Sequence, residues 1–159
     1  MKKILSIAAV IAGALYLSAG IALLIFQDIV KEFMGYGMDA IHVYPVPNVL
    51  KLAIVGVPCV VLGVLSMSEA PENRRGIDIL LVIYSSMALV LGEVLFTIGG
   101  NINTIIVGRT QGAEGLANVS MVSASFSYIQ FLIDLSLVLL LLRGALSLGE
   151  SEHAGQIAQ

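Results

Sequence analysis

The chain reads as an all-α integral membrane protein, a four-transmembrane-helix bundle with a short amphipathic interfacial helix in its first outer loop. Three observations predict this class. Of the 159 residues, 58% are hydrophobic and only 12% are charged, with a mean hydropathy of +0.97. Soluble domains average about 45–50% apolar and about 25% charged, so this chain carries too few ionic side chains to cover a surface facing water. Finally, the apolar residues fall into four uninterrupted runs near the ~20 residues that cross a bilayer, without the ~10-residue alternation of a membrane barrel.

The first span, about 4–27, follows Lys2 and Lys3 and is uncharged from Ile4 to Phe26. At ~1.5 Å rise per residue it crosses a ~30 Å hydrocarbon core. It exceeds the 7–15-residue core of a secretion signal and ends without a small-x-small site, so it reads as a retained anchor. The second span, about 48–68, begins behind Pro45 and Pro47, with Lys51 at its mouth. The third covers about 77–99, its end left open as far as 107, with Asp78 at its edge and Glu93 inside. The fourth covers about 119–142, interrupted by Asp134 and stopped by Arg143. Residues 149–159 read as a polar, flexible tail. All four spans belong to a single domain, 1–148.

The connections differ in character. EAPENRRG, from Glu69 to Gly76, is a short charged turn. In the loop before Asn48, Ile29, Val30, Phe33, Met34, Gly37 and Met38 share one helical stripe, with Asp28, Lys31 and Glu32 opposite. That is the interfacial helix. The loop from Gly99 to Asn118 is glycine-rich and reads as irregular. With the N-terminus inside, the inner flanks hold Lys2, Lys3, Arg74, Arg75 and Arg143, and the outer loops hold Lys31, Lys51 and Arg109. That excess predicts both termini to be cytoplasmic.

Glu93 and Asp134 are the candidate functional residues, because an ionisable group inside a span costs about 2.5–3.5 kcal/mol on insertion scales. Both have polar company at helical spacing: Ser86 and Thr97 with Glu93, and Ser127 and Gln130 with Asp134. No basic residue falls inside any predicted span, so an internal salt bridge is not expected. Three readings compete: a proton or cation site on a transport path, a contact with another subunit, or neutral carboxyls hydrogen-bonded as helix glue.

Ala9 and Gly13 in the first span, Gly56, Cys59 and Gly63 in the second, and Gly92 beside Glu93 are small residues placed for close helix packing. Asp39 and His42 are a weak candidate pair of metal ligands, set against the plainer reading of solvated loop charge. The residues name no cofactor. No phosphate loop, nucleophile elbow or paired-histidine motif is present. A net charge of −3 argues against nucleic acid. The expected function is a non-catalytic membrane subunit packed in a larger complex, with membrane lipids and other subunits or itself as partners. The alternative is a small oligomeric proton- or cation-coupled transporter using Glu93 and Asp134.

Overall fold

A computed structural model describes residues 1–26, 49–67, 74–110 and 112–157, with side chains throughout except most of 96–127 and all of 151–157. The interfacial-helix stripe, Asp39 and His42 lie outside the described residues. Among the described residues four helices make up the fold: α1 (Lys2–Ile25), α2 (Val49–Met67), α3 (Arg74–Thr110) and α4 (Gly112–Ile157). Each contains a stretch long and apolar enough to cross a membrane, Arg74–Leu95 in α3 and Tyr128–Glu150 in α4. The central element is α4, which packs along α3 on one side and α1 on the other; α2 packs on α1 and touches α3 and α4.

The two later helices outrun the first pair. At ~1.5 Å per residue, α3 is about 55 Å long and α4 about 70 Å. The stretch from Gly99 to Asn118, expected as an irregular loop, is helical on both sides of residue 111. The contacts Gly92–Gln130 and Asp78–Gly144 are both symmetric about position 111, so one antiparallel register holds along this length of α3 and α4. Packing along a partner helix outweighs the ~1 kcal/mol cost of each interior glycine. Gly112 closes the turn with φ +66°, a conformation glycine adopts without strain. At its other end α4 stays helical to Ile157, through most of the segment expected to be a flexible tail.

Helix α1 is composed in reverse of a helix in a water-soluble bundle. In α1 the buried positions are Ser6, Ala9, Ala12, Gly13 and Tyr16, while Ile4, Ile7, Ile11 and Leu15 point outward. Small residues on the inner face let backbones approach closely. A Cβ built on Gly63 would lie 2.6 Å from Val10 Cγ2, and one on Gly56 would lie 2.6 Å from Leu17 Cδ2, so a larger residue at either position would have to push those side chains aside. Hydrogen bonds then stitch the seam. Ser66 Oγ meets Ser6 Oγ at 2.7 Å. Ser136 Oγ donates to the Ala9 carbonyl at 2.6 Å and lies 2.7 Å from Cys59 Sγ. Ser136 has one proton to give, so the Cys59 thiol is the donor in the second contact.

Helix α2 is not a regular α-helix. Residues Leu52–Gly56 form a π turn, closed by the Val57 N–H bonding the Leu52 carbonyl. Pro58 is the cause. It has no N–H to offer the Ile54 carbonyl four residues back, and its ring crowds that carbonyl. The Tyr84 hydroxyl of α3 takes over, donating to the Ile54 carbonyl at 2.8 Å and lying 3.0 Å from that of Val55. The extra residue of a π turn rotates everything before it by about 100° relative to a continuous α-helix. Lys51 lies just before it.

Candidate functional site

That rotation brings Lys51 onto the same face as Leu52, Val55, Gly56 and Cys59, and Lys51 is only 4% exposed. The expectation that no basic residue lies within a span is therefore corrected. A lysine near the mouth of α2 would ordinarily snorkel outward. Here the irregular turn aims its stem across Gly92, whose missing side chain leaves room: a Cβ there would sit 3.5 Å from Lys51 Cε.

The Lys51 ammonium donates to Gln130 Oε1 on α4. Gln130 Nε2 in turn donates to both oxygens of Asp134, at 2.8 and 3.0 Å. Ammonium groups only donate and carboxylates only accept, so the amide works as an adaptor in the one orientation that serves both. Gln130 and Asp134 are four residues apart, neighbours on one face of α4. Gln130 is buried and Asp134 partly so. The phenol of Tyr16, buried on α1, lies within electrostatic range of the Asp134 carboxylate, and Glu93 acts on Lys51 in the same way. Four helices thus contribute to one buried polar site: Tyr16, Lys51, Gly92 and the Gln130–Asp134 pair.

Glu93 itself is exposed, as are Ser86 and Val90 on the same stripe of α3. The face of α3 turned into the bundle is shifted by one residue: Asp78, Leu81, Ser85, Ala88 and Gly92. Small side chains at those positions admit α4 and the lysine stem, and the larger polar stripe is left outside. The register puts Glu93 beside residue 129, so Asp134 lies about 7 Å further along the bundle axis. The side chains of Thr97 and Ser127 lie outside those described. Ala9, Gly13, Gly56, Cys59 and Gly63 sit in the α1–α2 seam.

A second buried polar group occupies the opposite end. Arg143 Nη1 meets Asp78 Oδ1 at 3.1 Å, with both side chains nearly inaccessible, and Nη2 reaches the Ser66 carbonyl at 3.5 Å. This is an internal salt bridge, again against expectation. Asp78 and Arg143 had been read as span edges. The charges neutralise each other between adjacent helices, which lets α4 continue past Arg143. Nearby, Lys2 pairs with Glu150 and donates to Ser147 Oγ at 3.5 Å. Sequence reasoning missed Lys51, Asp78 and Arg143 as interior groups. The available signal was that Asp78 and Arg143 carry opposite charges at the same end of antiparallel neighbours.

Among the described residues, no three His, Cys, Asp or Glu side chains gather as a metal set. Chemically, the Lys51–Gln130–Asp134 chain can hold a cation and a carboxylate at fixed separation, or pass a change of charge on one to the other. No protein-family model, curated protein or solved structure matches the chain.

Proposed function

We propose that this chain is a multi-pass integral membrane protein with both termini cytoplasmic, acting as a non-catalytic subunit packed within a larger membrane complex. The membrane part is supported by the large apolar side chains left exposed on every helix, among them Ile11 and Leu15 on α1, Val57 and Val61 on α2, Ile83 and Val90 on α3 and Phe131 on α4, which an apolar surround stabilises. The orientation is supported by the four cations Lys2, Lys3, Arg74 and Arg75 against Lys31 and Arg109, with the buried Lys51 and Arg143 withdrawn from both counts. The segment before Asn48 is the outer interfacial helix in this reading.

One observation carries the subunit reading. Glu93 and Ser86 face outward from α3 among Met87, Val90, Leu91 and Val94, all exposed. A carboxyl turned toward lipid costs about 2.5–3.5 kcal/mol, and a partner helix carrying a hydrogen-bond donor offsets that cost. Asp134, by contrast, is served from within by Gln130. A photo-crosslinker placed at Val90, followed by native mass spectrometry of a mild-detergent extract, tests it. Stable hetero-partners joined through residue 90 support the reading, and a bare monomer crosslinked to lipid alone overturns it.

The second reading is proton- or cation-coupled transport, favoured by the internal Lys51–Gln130–Asp134 chain with Glu93 near its cationic end. There a pH-driven flux in liposomes holding the purified chain should vanish in Asp134→Asn.

A further inference from the structure

The structure has a cavity at the end of the bundle opposite Lys51. Two adjoining hollows there share Lys2, Arg74 and Glu150, and between them are also lined by Lys3, Arg75, Asp78, Ser66, Ser147 and Arg143. Five cations thus surround a space containing two acids, in a chain whose net charge is −3. Both acids are already engaged, Glu150 by Lys2 and Asp78 by Arg143. Among the described residues no ion pair closes on Lys3, Arg74 or Arg75, and those three are exposed.

A second observation is independent of the charge count. Arg143 lines the cavity and is 5% exposed, yet its buried Nε–H finds no acceptor in the protein among the described residues. A buried N–H of an arginine without an acceptor is rare in folded proteins. Arginine presents its donors in a fixed fork suited to phosphate oxygens, and Nη1 and Nη2 are already committed to Asp78 and Ser66.

We propose that this cavity binds the phosphate headgroup of an anionic phospholipid of the adjacent leaflet, with Arg74, Arg75 and Lys3 holding its charge and Arg143 Nε–H donating to an oxygen. The proposal rests on the membrane reading above. Basic pockets between membrane helices recognise anionic headgroups by this chemistry. The acyl chains would lie along the outward isoleucines of α1, where Ile4 and Ile7 are exposed beside Lys3.

The test titrates the purified full chain in neutral detergent with dioleoyl phosphatidylglycerol or dioleoyl phosphatidylcholine, counting bound lipid by native mass spectrometry. Inorganic phosphate is the third probe. Phosphatidylglycerol should bind one per chain and at least about tenfold more tightly than phosphatidylcholine, and Arg74→Gln with Arg75→Gln should remove about tenfold, each arginine near a surface contributing several-fold. Arg109→Gln, at the far end of α3, should change nothing. Arg143→Lys keeps the charge and the Asp78 pair but lacks Nε–H, and should weaken the same preference without loss of folded protein. Equal binding of the two lipids, or an unchanged preference in the double variant, overturns the proposal. Saturable inorganic phosphate binding without lipid preference also overturns it, since the source would then be free phosphate. Alkaline carbonate extraction is run beside these. Release of the chain from membranes defeats the membrane reading, whereas retention without lipid preference defeats only the headgroup site.

Discussion

At the Lys2 end of the bundle Arg143 meets Asp78 directly, both nearly inaccessible, whereas at the Val49 end the amide of Gln130 stands between Lys51 and Asp134. The first arrangement is a rigid pair, planar guanidinium against carboxylate, in which each charge depends on the other. The second is a relay in which a neutral group stands between the charges, so either end can change while Gln130 still serves the other. A direct charge pair leaves a stranded charge when either partner is lost, whereas a pair bridged by a neutral amide keeps one hydrogen bond, so the direct pair should tolerate change less.

The largest expected effect comes from breaking the direct pair. Asp78→Leu strands a buried guanidinium and should cost about 3–5 kcal/mol, seen as loss of folded protein on fluorescence-detected size exclusion after heating. Combining it with Arg143→Met should restore most of the folded fraction, because a matched apolar pair leaves no orphan charge. If the double variant is no better than the single, the pair is not a closed unit.

Breaking the relay should be milder. Lys51→Met leaves Gln130 donating to Asp134 and should cost about 1–3 kcal/mol, the range for hydrogen bonds to charged groups. A loss equal to that of Asp78→Leu would erase the contrast between the two ends.

Next comes the device that aims the lysine. Tyr84→Phe takes the donor from the Ile54 carbonyl, and should cost about 1–2 kcal/mol. In a Pro58→Ala background the same change should cost less, because the restored N–H can serve that carbonyl. A double-mutant cycle on thermal midpoints measures the coupling, and additive losses would mean the tyrosine does not compensate for the proline.

The smallest stability changes are expected at Asp134 and Glu150. Asp134→Asn keeps an acceptor for Gln130 and should cost about 0.6 kcal/mol, the average for a membrane interhelical hydrogen bond. Glu150→Gln, at an exposed ion pair, should leave the thermal midpoint unchanged within error.

The number of long apolar helices and the positions of their apolar stretches were legible in the sequence, because an apolar run of about 20 residues satisfies its backbone groups best as a helix, whereas the full lengths of α3 and α4 were not. The small residues Ala9, Gly13, Gly56 and Gly63 were legible for the same kind of reason: their spacing puts them on one face of each helix. What could not be read was which face of α3 turned inward. The stripes Ser86–Glu93 and Ser85–Gly92 differ by one residue, about 100° of rotation, and a polar stripe on its own does not say whether it meets a neighbour or the surround. Lys51 was hidden by the π turn, since a period of 3.6 carried back from Cys59 gives it the wrong direction. Gly99 and Gly100 read as a break because the arm of α4 that runs beside them is remote in sequence.

The sequence by itself determined four helices long and apolar enough to cross a membrane, with small residues spaced on single faces, since hydropathy and residue size are local properties. Only the tertiary structure decided which charges meet. Asp78 with Arg143 and Lys51 with Gln130 are 65 and 79 residues apart, and their meeting depends on the rotation of each helix about its own axis. That rotation is set jointly by Pro58, Tyr84 and the close approach at Gly92, through contacts between elements that no single helix contains.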